Sequence, residues 1–276
     1  MKKKWTFGRV IYVLFAALWF LSTLFPLYFT LVSSFKDDQS IFTNYFGLPE
    51  QWQFDNYIRA ESMTNIVRAT VNSLLVSAVS IALMLLVALS GAYVISRKRV
   101  PCSNGITLFL MAAMMIPIQA AIVPIIQMVS SVGMGNNLMA LSVIYAGLNL
   151  SMVFLILKNS IDAVPREIDE AAMIDGCGPL QTLVRIIVPI SKPAIATCAI
   201  ISFLFVYNEL PIANVLITQP KLKTISQALL NLKGDFGTFY SISFAAIVIS
   251  VIPTLVLYLL AQEKVEKSLC AGSVKG

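Results

Sequence analysis

An all-α, polytopic membrane fold with six transmembrane helices is predicted by three features: the apolar composition, the long uncharged runs and the placement of the basic residues. Of 276 residues, 58% are hydrophobic and only 12% are charged, and the mean hydropathy is +0.81. Because soluble domains carry about 25% charged residues, this chain has too few charges to cover a surface that faces water. Lipid is therefore the expected solvent for much of its surface.

Six apolar runs are each long enough to cross a bilayer, and they span residues 10–34, 69–96, 106–130, 137–157, 193–217 and 239–261. A helix needs roughly 20 residues to cross the hydrocarbon core, and it satisfies its own backbone where lipid cannot. Pro117 and Pro124 predict kinks or breaks in the third run. The first run is longer than the apolar region of a signal peptide and lacks a convincing cleavage site, so we expect it to be retained as a span.

The basic residues predict the orientation of the chain. None of the 20 Lys and Arg residues lies inside a predicted span, and 14 of them fall on the side of the two termini. Since Lys and Arg favour the cytoplasmic side, the tails 1–9 and 263–276 and the loop 158–192 are predicted to be cytoplasmic, with a transmembrane domain over 10–262. Topology thus accounts for the net charge of +6, and no nucleic-acid partner is predicted.

The sequence offers no catalytic or metal-binding motif. It contains no histidine, no paired CxxC and no glycine-rich phosphate loop, so we predict no enzyme, no cofactor and no metal site. The four cysteines, at positions 102, 177, 198 and 270, fall on the predicted cytoplasmic side or near the inner end of the fifth run. We expect them to be reduced. Active transport would then draw on an ion gradient or on a separate ATPase.

The loop 158–192 carries the signals of a surface helix. Pro165 suits the first position of a helix, and the acids that follow it suit the positive end of the helix dipole. Gly176 and Gly178 favour the helix end. A second amphipathic run, Leu180–Val188, is predicted to stop at Pro189, so the loop should form a helix–turn–helix at the membrane surface.

This loop contains the segment Glu170-Ala171-Ala172-Met173-Ile174-Asp175-Gly176, which is followed by Ile187-Val188-Pro189. This pattern resembles the EAA loop of ABC importer permeases, in which the helix docks in a cleft on the ATPase subunit and carries its motion into the membrane. The two alanines would allow close approach, Glu170 would bond with the partner or cap locally, and Gly176 would permit the turn. A plain amphipathic surface helix is the alternative.

The resemblance covers nearly the whole chain. Asn72-Ser73-Leu74 resembles the second span of that family, and Met115-Ile116-Pro117 resembles its third. The last residues, Leu269 to Gly276, are similar to the tail of the maltose-type second permease subunit, which reaches between the two ATPases. The resemblance implies that Gly272, Val274 and Lys275 contact the ATPases and that the substrate is a sugar, although Cys270 departs from the expected Thr.

The resemblance also implies an assembly in a bacterial cell membrane. A paralogous permease would complete a heterodimer, two ATP-binding subunits would supply energy, and an extracytoplasmic solute-binding protein would deliver the sugar. The outer loop Thr218–Thr238 resembles the segment that enters the cleft of that protein. The aromatic residues of the outer loop 35–68, at positions 46, 52, 54 and 57, fit either interfacial anchors or a docking surface.

Glu209 is the single ionisable residue inside a predicted span. A charge at that depth costs about 2.5–3.5 kcal/mol, so the side chain should face protein or water. With Asn208 beside it, Glu209 is a candidate for lining the substrate pathway, and Asn149 is a weaker candidate of the same kind. A structural hydrogen bond to the partner permease, or a helix break at Pro211, explains the acid equally well.

Two other functions are compatible with the sequence. One is a permease of the same superfamily for a non-sugar solute, which the resemblance of the tail disfavours. The other is a gradient-driven transporter or channel. Such proteins often show internal repeats and several intramembrane charges, whereas this chain shows one such charge and no evident repeat.

Overall fold

The computed structural model describes residues 7–97, 100–234 and 237–273. These residues confirm the all-α class, with one small antiparallel hairpin in which Lys233–Gly234 (β1) pairs with Gly237–Thr238 (β2). The helices are α1 Phe7–Ser33, α2 Asp38–Thr43, α3 Asp55–Thr64, α4 Ile66–Arg97, α5 Ser103–Ala113, α6 Ile118–Ser131, α7 Leu138–Asp162, α8 Glu167–Ile174, α9 Pro179–Thr182, α10 Val188–Ile190, α11 Lys192–Asn208, α12 Pro211–Leu216, α13 Ile225–Leu230 and α14 Tyr240–Ser273. A π-helical turn, Leu183–Ile187, joins α9 to α10, and a 3-10 turn covers Pro220–Leu222.

Within the described residues, four stretches of helix are long and apolar enough to cross a membrane: most of α1, all of α4 and α7, and Tyr240–Leu260 of α14. Two bent pairs of helices raise the number of possible spans to six if each pair crosses the membrane once. Helices α5 and α6 meet at 100°, and the run Pro179–Ile190 meets α11 at 77°. The break predicted at Pro117 is confirmed, since this proline has extended backbone angles and immediately precedes α6. Pro124 lies inside α6. The division of the chain into six spans and their loops stays a prediction.

The surface of α1 is apolar and exposed. Leu18, Trp19 and Phe20 are exposed, and none of the most apolar part of α1 is buried within the chain. Polar side chains such as Ser80 are instead buried. Large apolar groups outside and small polar groups inside are typical of helices packed in a bilayer.

Two compact units divide the chain. The first contains the described residues of Met1–Val67 and Ala228–Ile252. In this unit Asp37 begins α2, where the hydroxyl and the amide of Ser40 both donate to its carboxylate and lower its pKa by favouring the charged form. The amide of Ser241 donates to Asp38 across 2.8 Å, which holds α2 against the start of α14.

The second unit contains the described residues of Arg68–Gln227 and Pro253–Gly276, and α7 lies at its centre. Half of the apolar window of α7 is buried, against 28% for α4. Helix α7 packs on α11, α5, α6 and α12. The hydroxyl of Ser80 on α4 donates to the carbonyl of Ser142 on α7 at 3.0 Å, a polar contact between two helices that lipid cannot replace.

Candidate functional site

Helix α8 forms and ends as its sequence predicts, but it begins at Glu167, so Pro165 precedes the helix and does not occupy its first position. Its first turn holds three acids, which interact favourably with the exposed amides there. At its end, the amide of Cys177 donates to the carbonyl of Ala172 and the amide of Gly176 donates to that of Met173. These two bonds are the Schellman arrangement. It places Gly176 at a φ of +81°, where a side chain would strain the backbone.

The residues of the resembling loop divide between two faces of α8. Glu170, Ala171, Asp175 and Gly176 are exposed, and Met173 and Ile174 add an apolar surface beside them. Ala172 differs from the prediction, because its side chain is buried, with 3% exposure. The helix turns this position towards its own chain, so the small side chain of Ala172 serves internal packing and is not available for the close approach of a partner.

The turn that follows α8 leads into a second short helical run. Helix α9 starts at Pro179, and the chain then passes through the π turn into α10. The prediction that Pro189 stops this run is wrong, because the helix continues to Ile190. In the π turn the amide of Val188 bonds to the carbonyl of Leu183 five residues back, and the shifted pattern accommodates a residue without an amide hydrogen.

Helix α8 is attached to the end of α4 by a buried ion pair. Nε of Arg97 lies 3.0 Å from Oδ2 of Asp169, and both side chains are at least 93% buried. The N–H of Nε does not point along this line, so the contact is electrostatic and not a well-formed hydrogen bond. The hydroxyl of Tyr93, one turn earlier on α4, donates to Oδ1 of Asp169 at 3.4 Å.

Glu209 lies at a break between α11 and α12. Its carboxylate accepts hydrogen bonds from the amides of Ile212 and Ala213, at 2.8 and 3.2 Å, and from the hydroxyl of Tyr145. These bonds satisfy the free amides at the start of α12. The contacts within this chain support the helix-break explanation, and the side chain is 8% exposed.

The other two pathway candidates have different surroundings. Asn149 is buried, donates to the carbonyl of Tyr145 and borders a cavity of about 360 Å³ beside the break between α5 and α6. Ser151 and Phe205 also line this cavity. Asn208 is exposed, and its amide donates to the carbonyl of Leu204 in its own helix. Tyr145 therefore links Asn149 to Glu209, while Asn208 stands apart.

The first residues of the predicted outer loop, 218–223, form a stem that side-chain hydrogen bonds hold in place. Asn72 on α4 donates to the carbonyls of Lys221 and Lys223, at 3.1 and 3.0 Å. Oδ1 of Asn136 accepts from the amides of Thr218 and Gln219, at 2.6 and 2.9 Å. These asparagines leave the segment 218–223 with little freedom.

The C-terminal residues are described only in part. Gly272 lies in the last turn of α14, while Val274 and Lys275 lie outside the described residues. Among the residues that the structure does describe, Cys102, Cys177 and Cys198 are free thiols. No group of three or more metal-binding side chains occurs in that part of the chain.

The described residues show the features expected of a membrane transport subunit: apolar helices long enough to cross a membrane, two bent helix pairs, and α8 with an exposed face. The family of binding-protein-dependent transport system inner membrane components matches residues 84–269, and the chain belongs to this family. It is thus a multi-pass permease subunit of such a system and not an enzyme, because hydrolysis of ATP belongs to a separate subunit.

Relatives and solved structures agree with this family. The diacetylchitobiose uptake system permease protein DasC of Streptomyces coelicolor is 30% identical over 99% of this chain and 100% of the relative. The probable starch degradation products transport system permease protein AmyC of Thermoanaerobacterium thermosulfurigenes is 28% identical over 91% of each. A chain of a bacterial ABC transporter that imports the polysaccharide alginate shares the fold, with a TM-score of 0.81 at 19% identity over 92% of this chain and 95% of that one.

Sequence reasoning missed three residues of this site. Tyr93 and Arg97 belong to the stretch that resembles the second span of the family, but they lie far from α8 in the sequence and nothing there marks them as partners of Asp169. Tyr145 looks like any aromatic residue in a span. No periodicity marks it as the partner of Glu209.

Proposed function

We propose that this chain is one of two paralogous permease subunits of an ABC importer for an oligosaccharide or similar sugar. Each permease would form half of the pathway, two ATP-binding subunits would dock at the cytoplasmic face, and an extracytoplasmic binding protein would deliver the sugar. Two observations support the sugar: the relatives named for diacetylchitobiose, starch products and alpha-glucosides, and the tail resembling the maltose-type subunit.

The exposed face of α8 carries the proposal. A cytosolic helix that presents Glu170 and Asp175 beside Met173 and Ile174 would offer a partner both charge and apolar area. Ile174 is 86% exposed, although it lies on a helix anchored by buried charges. A single exposed apolar side chain is common on protein surfaces, so the docking role rests on Ile174 together with Met173, the flanking acids and the resemblance of the loop. We propose that the ATP-binding subunit docks on this surface.

The C-terminal tail would add a second contact with the ATP-binding subunits. This role for Gly272, Val274 and Lys275 rests on the resemblance alone. The excess of Lys and Arg on the side of the termini supports cytoplasmic placement of both tails and of α8. The inner membrane of a bacterium is the proposed location.

The cavity beside Asn149 is the proposed stretch of the pathway within this subunit. Non-helical backbone at membrane depth is tolerated where it is buried in protein or lines a water-filled space, and the cavity borders such a break at Met114 and Ile116. Asn149 and Ser151 offer polar groups for hydroxyls, and Phe205 offers an aromatic face for a sugar ring. Glu209 and Asn208 would lie along the same pathway in the assembled transporter.

Purification of the tagged chain from its own cells tests the proposal. We expect a second permease and an ATP-binding subunit to accompany it, and the ATPase activity of that complex to rise with the loaded binding protein and one member of a sugar panel. Glu170→Lys and Gly176→Asp should insert normally and lose ATP-coupled uptake. A rise with an amino acid or an osmolyte, and with no sugar, would favour an importer for another solute. Uptake that survives depletion of ATP would favour a gradient-driven transporter.

A further inference from the structure

The junction between the inner end of α4 and the start of α8 is held by side chains from both sides. Nη2 of Arg97 donates to the carbonyl of Val164 at 2.8 Å. In the opposite direction, Nη2 of Arg166 donates to the carbonyl of Ser96 at 3.3 Å. The ion pair of Arg97 with Asp169 is a third contact at this junction.

Burial makes this junction stiff. A charge removed from water is tolerated when an opposite charge stays beside it, and separating the two leaves each of them uncompensated. Since the side chains of Arg97 and Asp169 are 6% and 7% exposed, water cannot replace either partner. Displacement of α8 from the end of α4 would therefore meet a steep electrostatic penalty.

The same chain also contains an ion pair that is partly exposed to solvent instead of buried. Lys158 and Asp162 are 2.7 Å apart on one face of α7, four residues apart, and their side chains are 21% and 42% exposed. Solvent screens such a pair, and it contributes little to stability. The pair itself joins two positions of a single helix, and replacing Lys158 alone leaves in place the interactions of Asp162 with Ser96 and Arg97 at the end of α4. It is a natural control for the buried pair.

We propose that Arg97 and Asp169 are positioning residues that clamp the coupling helix α8 to α4, so that the two helices move as one body. The inference rests on the proposed docking of an ATP-binding subunit on α8. It adds a route into the bundle: motion of α8 would pass directly into α4, although α5, α6 and α7 separate the two helices in the chain.

Distance measurements between spin labels test the clamp. Labels are placed at Ser90 on α4 and at Glu167 on α8, two exposed positions, in a chain whose four cysteines are replaced, within the whole transporter in proteoliposomes. We expect one narrow distance distribution that is unchanged when Mg-ATP is added. In Asp169→Asn, the distribution should broaden and shift with Mg-ATP. Lys158→Ala should match the unmodified chain.

Two further variants keep the proposal testable if Asp169→Asn fails to insert. Arg97→Lys retains the charge but loses the planar fork that reaches both Asp169 and the Val164 carbonyl, so it should broaden the distribution. Asp169→Glu retains the charge and should restore most of the narrow component. A purely structural defect would lower the yield of assembled complex without altering the distances in the complex that remains.

The outcomes separate this inference from the function on which it rests. The clamp is overturned if Mg-ATP shifts the distance in the unmodified chain, or if Asp169→Asn and Arg97→Lys both keep the narrow distribution. It is also overturned if Asp169→Asn loses the ATP-binding subunit, because Asp169 would then belong to the docking surface. If the unmodified chain retains no ATP-binding subunit, the proposed function fails instead.

Discussion

The hydroxyl of Tyr145 on α7 donates a hydrogen bond to the carboxylate of Glu209, the residue at which α11 ends. The same carboxylate accepts the amides of Ile212 and Ala213 at the start of α12. The carboxylate of Glu209 therefore caps the start of α12. It also connects the break between α11 and α12 to α7, the central helix of its unit. Its oxygens are thus engaged by donors, as a buried carboxylate requires.

We expect Glu209→Gln to destabilise the subunit and to lower uptake. A glutamine offers one acceptor oxygen and turns an N–H₂ group towards donors, so at least one buried donor loses its partner. That loss costs about 1–3 kcal/mol. The thermal unfolding temperature of the purified complex and its uptake rate measure the effect.

The control for this prediction is a double-mutant cycle with Tyr145→Phe. If the hydroxyl and the carboxylate interact as the structure shows, the effects of the two changes should not add, with a coupling energy of about 0.5–3 kcal/mol. Additive effects would contradict the contact. Unchanged uptake in Glu209→Gln would argue against any role for this acid in the pathway.

Gly176 should be far less tolerant of substitution than Gly178. Gly176 has a φ of +81°, whereas Gly178 has a φ of −73°, and a β-carbon added at either position would meet no atom within 4 Å. Gly176→Ala should cost about 1–2 kcal/mol because a side chain strains that conformation. Gly178→Ala should be nearly neutral. ATP-coupled uptake by the two variants checks this, and equal losses would contradict a role for the turn geometry.

Asp175 is predicted to serve docking at the expense of the stability of α8. It follows the last turn of the helix and is exposed, where an acid opposes the helix dipole by about 0.3–1 kcal/mol. Asp175→Asn should therefore leave the fold intact and reduce the amount of ATP-binding subunit that co-purifies.

Glu167→Gln is the matched control for Asp175→Asn. Glu167 is exposed in the first turn of α8, where an acid is favourable. Its replacement should weaken the helix slightly and leave co-purification unchanged. Equal recovery of the ATP-binding subunit with both variants would remove Asp175 from the docking surface.

Asn72→Ala should loosen the stem of the outer loop. Without its amide, the carbonyls of Lys221 and Lys223 lose a donor, and trypsin added outside right-side-out vesicles should cleave after these lysines several times faster. Asn208→Ala is the control, because that amide bonds within its own helix. Equal cleavage rates for the two variants would contradict the anchoring. Protection from outside, with cleavage from inside, would reverse the predicted orientation.

Features that depend on the local sequence were predictable. The break at Pro117 and the end of α8 at Gly176 follow from the backbone restrictions of proline and glycine. Contacts that depend on tertiary packing were not, and Tyr93 and Asp169 are 76 positions apart. Ala172 shows the same limit, since the motif marks it as part of α8 but only packing decides that its side chain faces inward. Pro189 was misjudged because a π turn changes the hydrogen bonds that a proline disturbs.

The central claim is that α8 is the surface on which an ATP-binding subunit docks, and cross-linking from Ile174 tests it most directly. A photoactivatable residue at this exposed position in the intact transporter should capture the ATP-binding subunit. The same residue at Leu230, in the outer loop, should not capture it. Capture of an extracytoplasmic protein from position 174, or no capture in a complex that contains the ATP-binding subunit, would contradict the account.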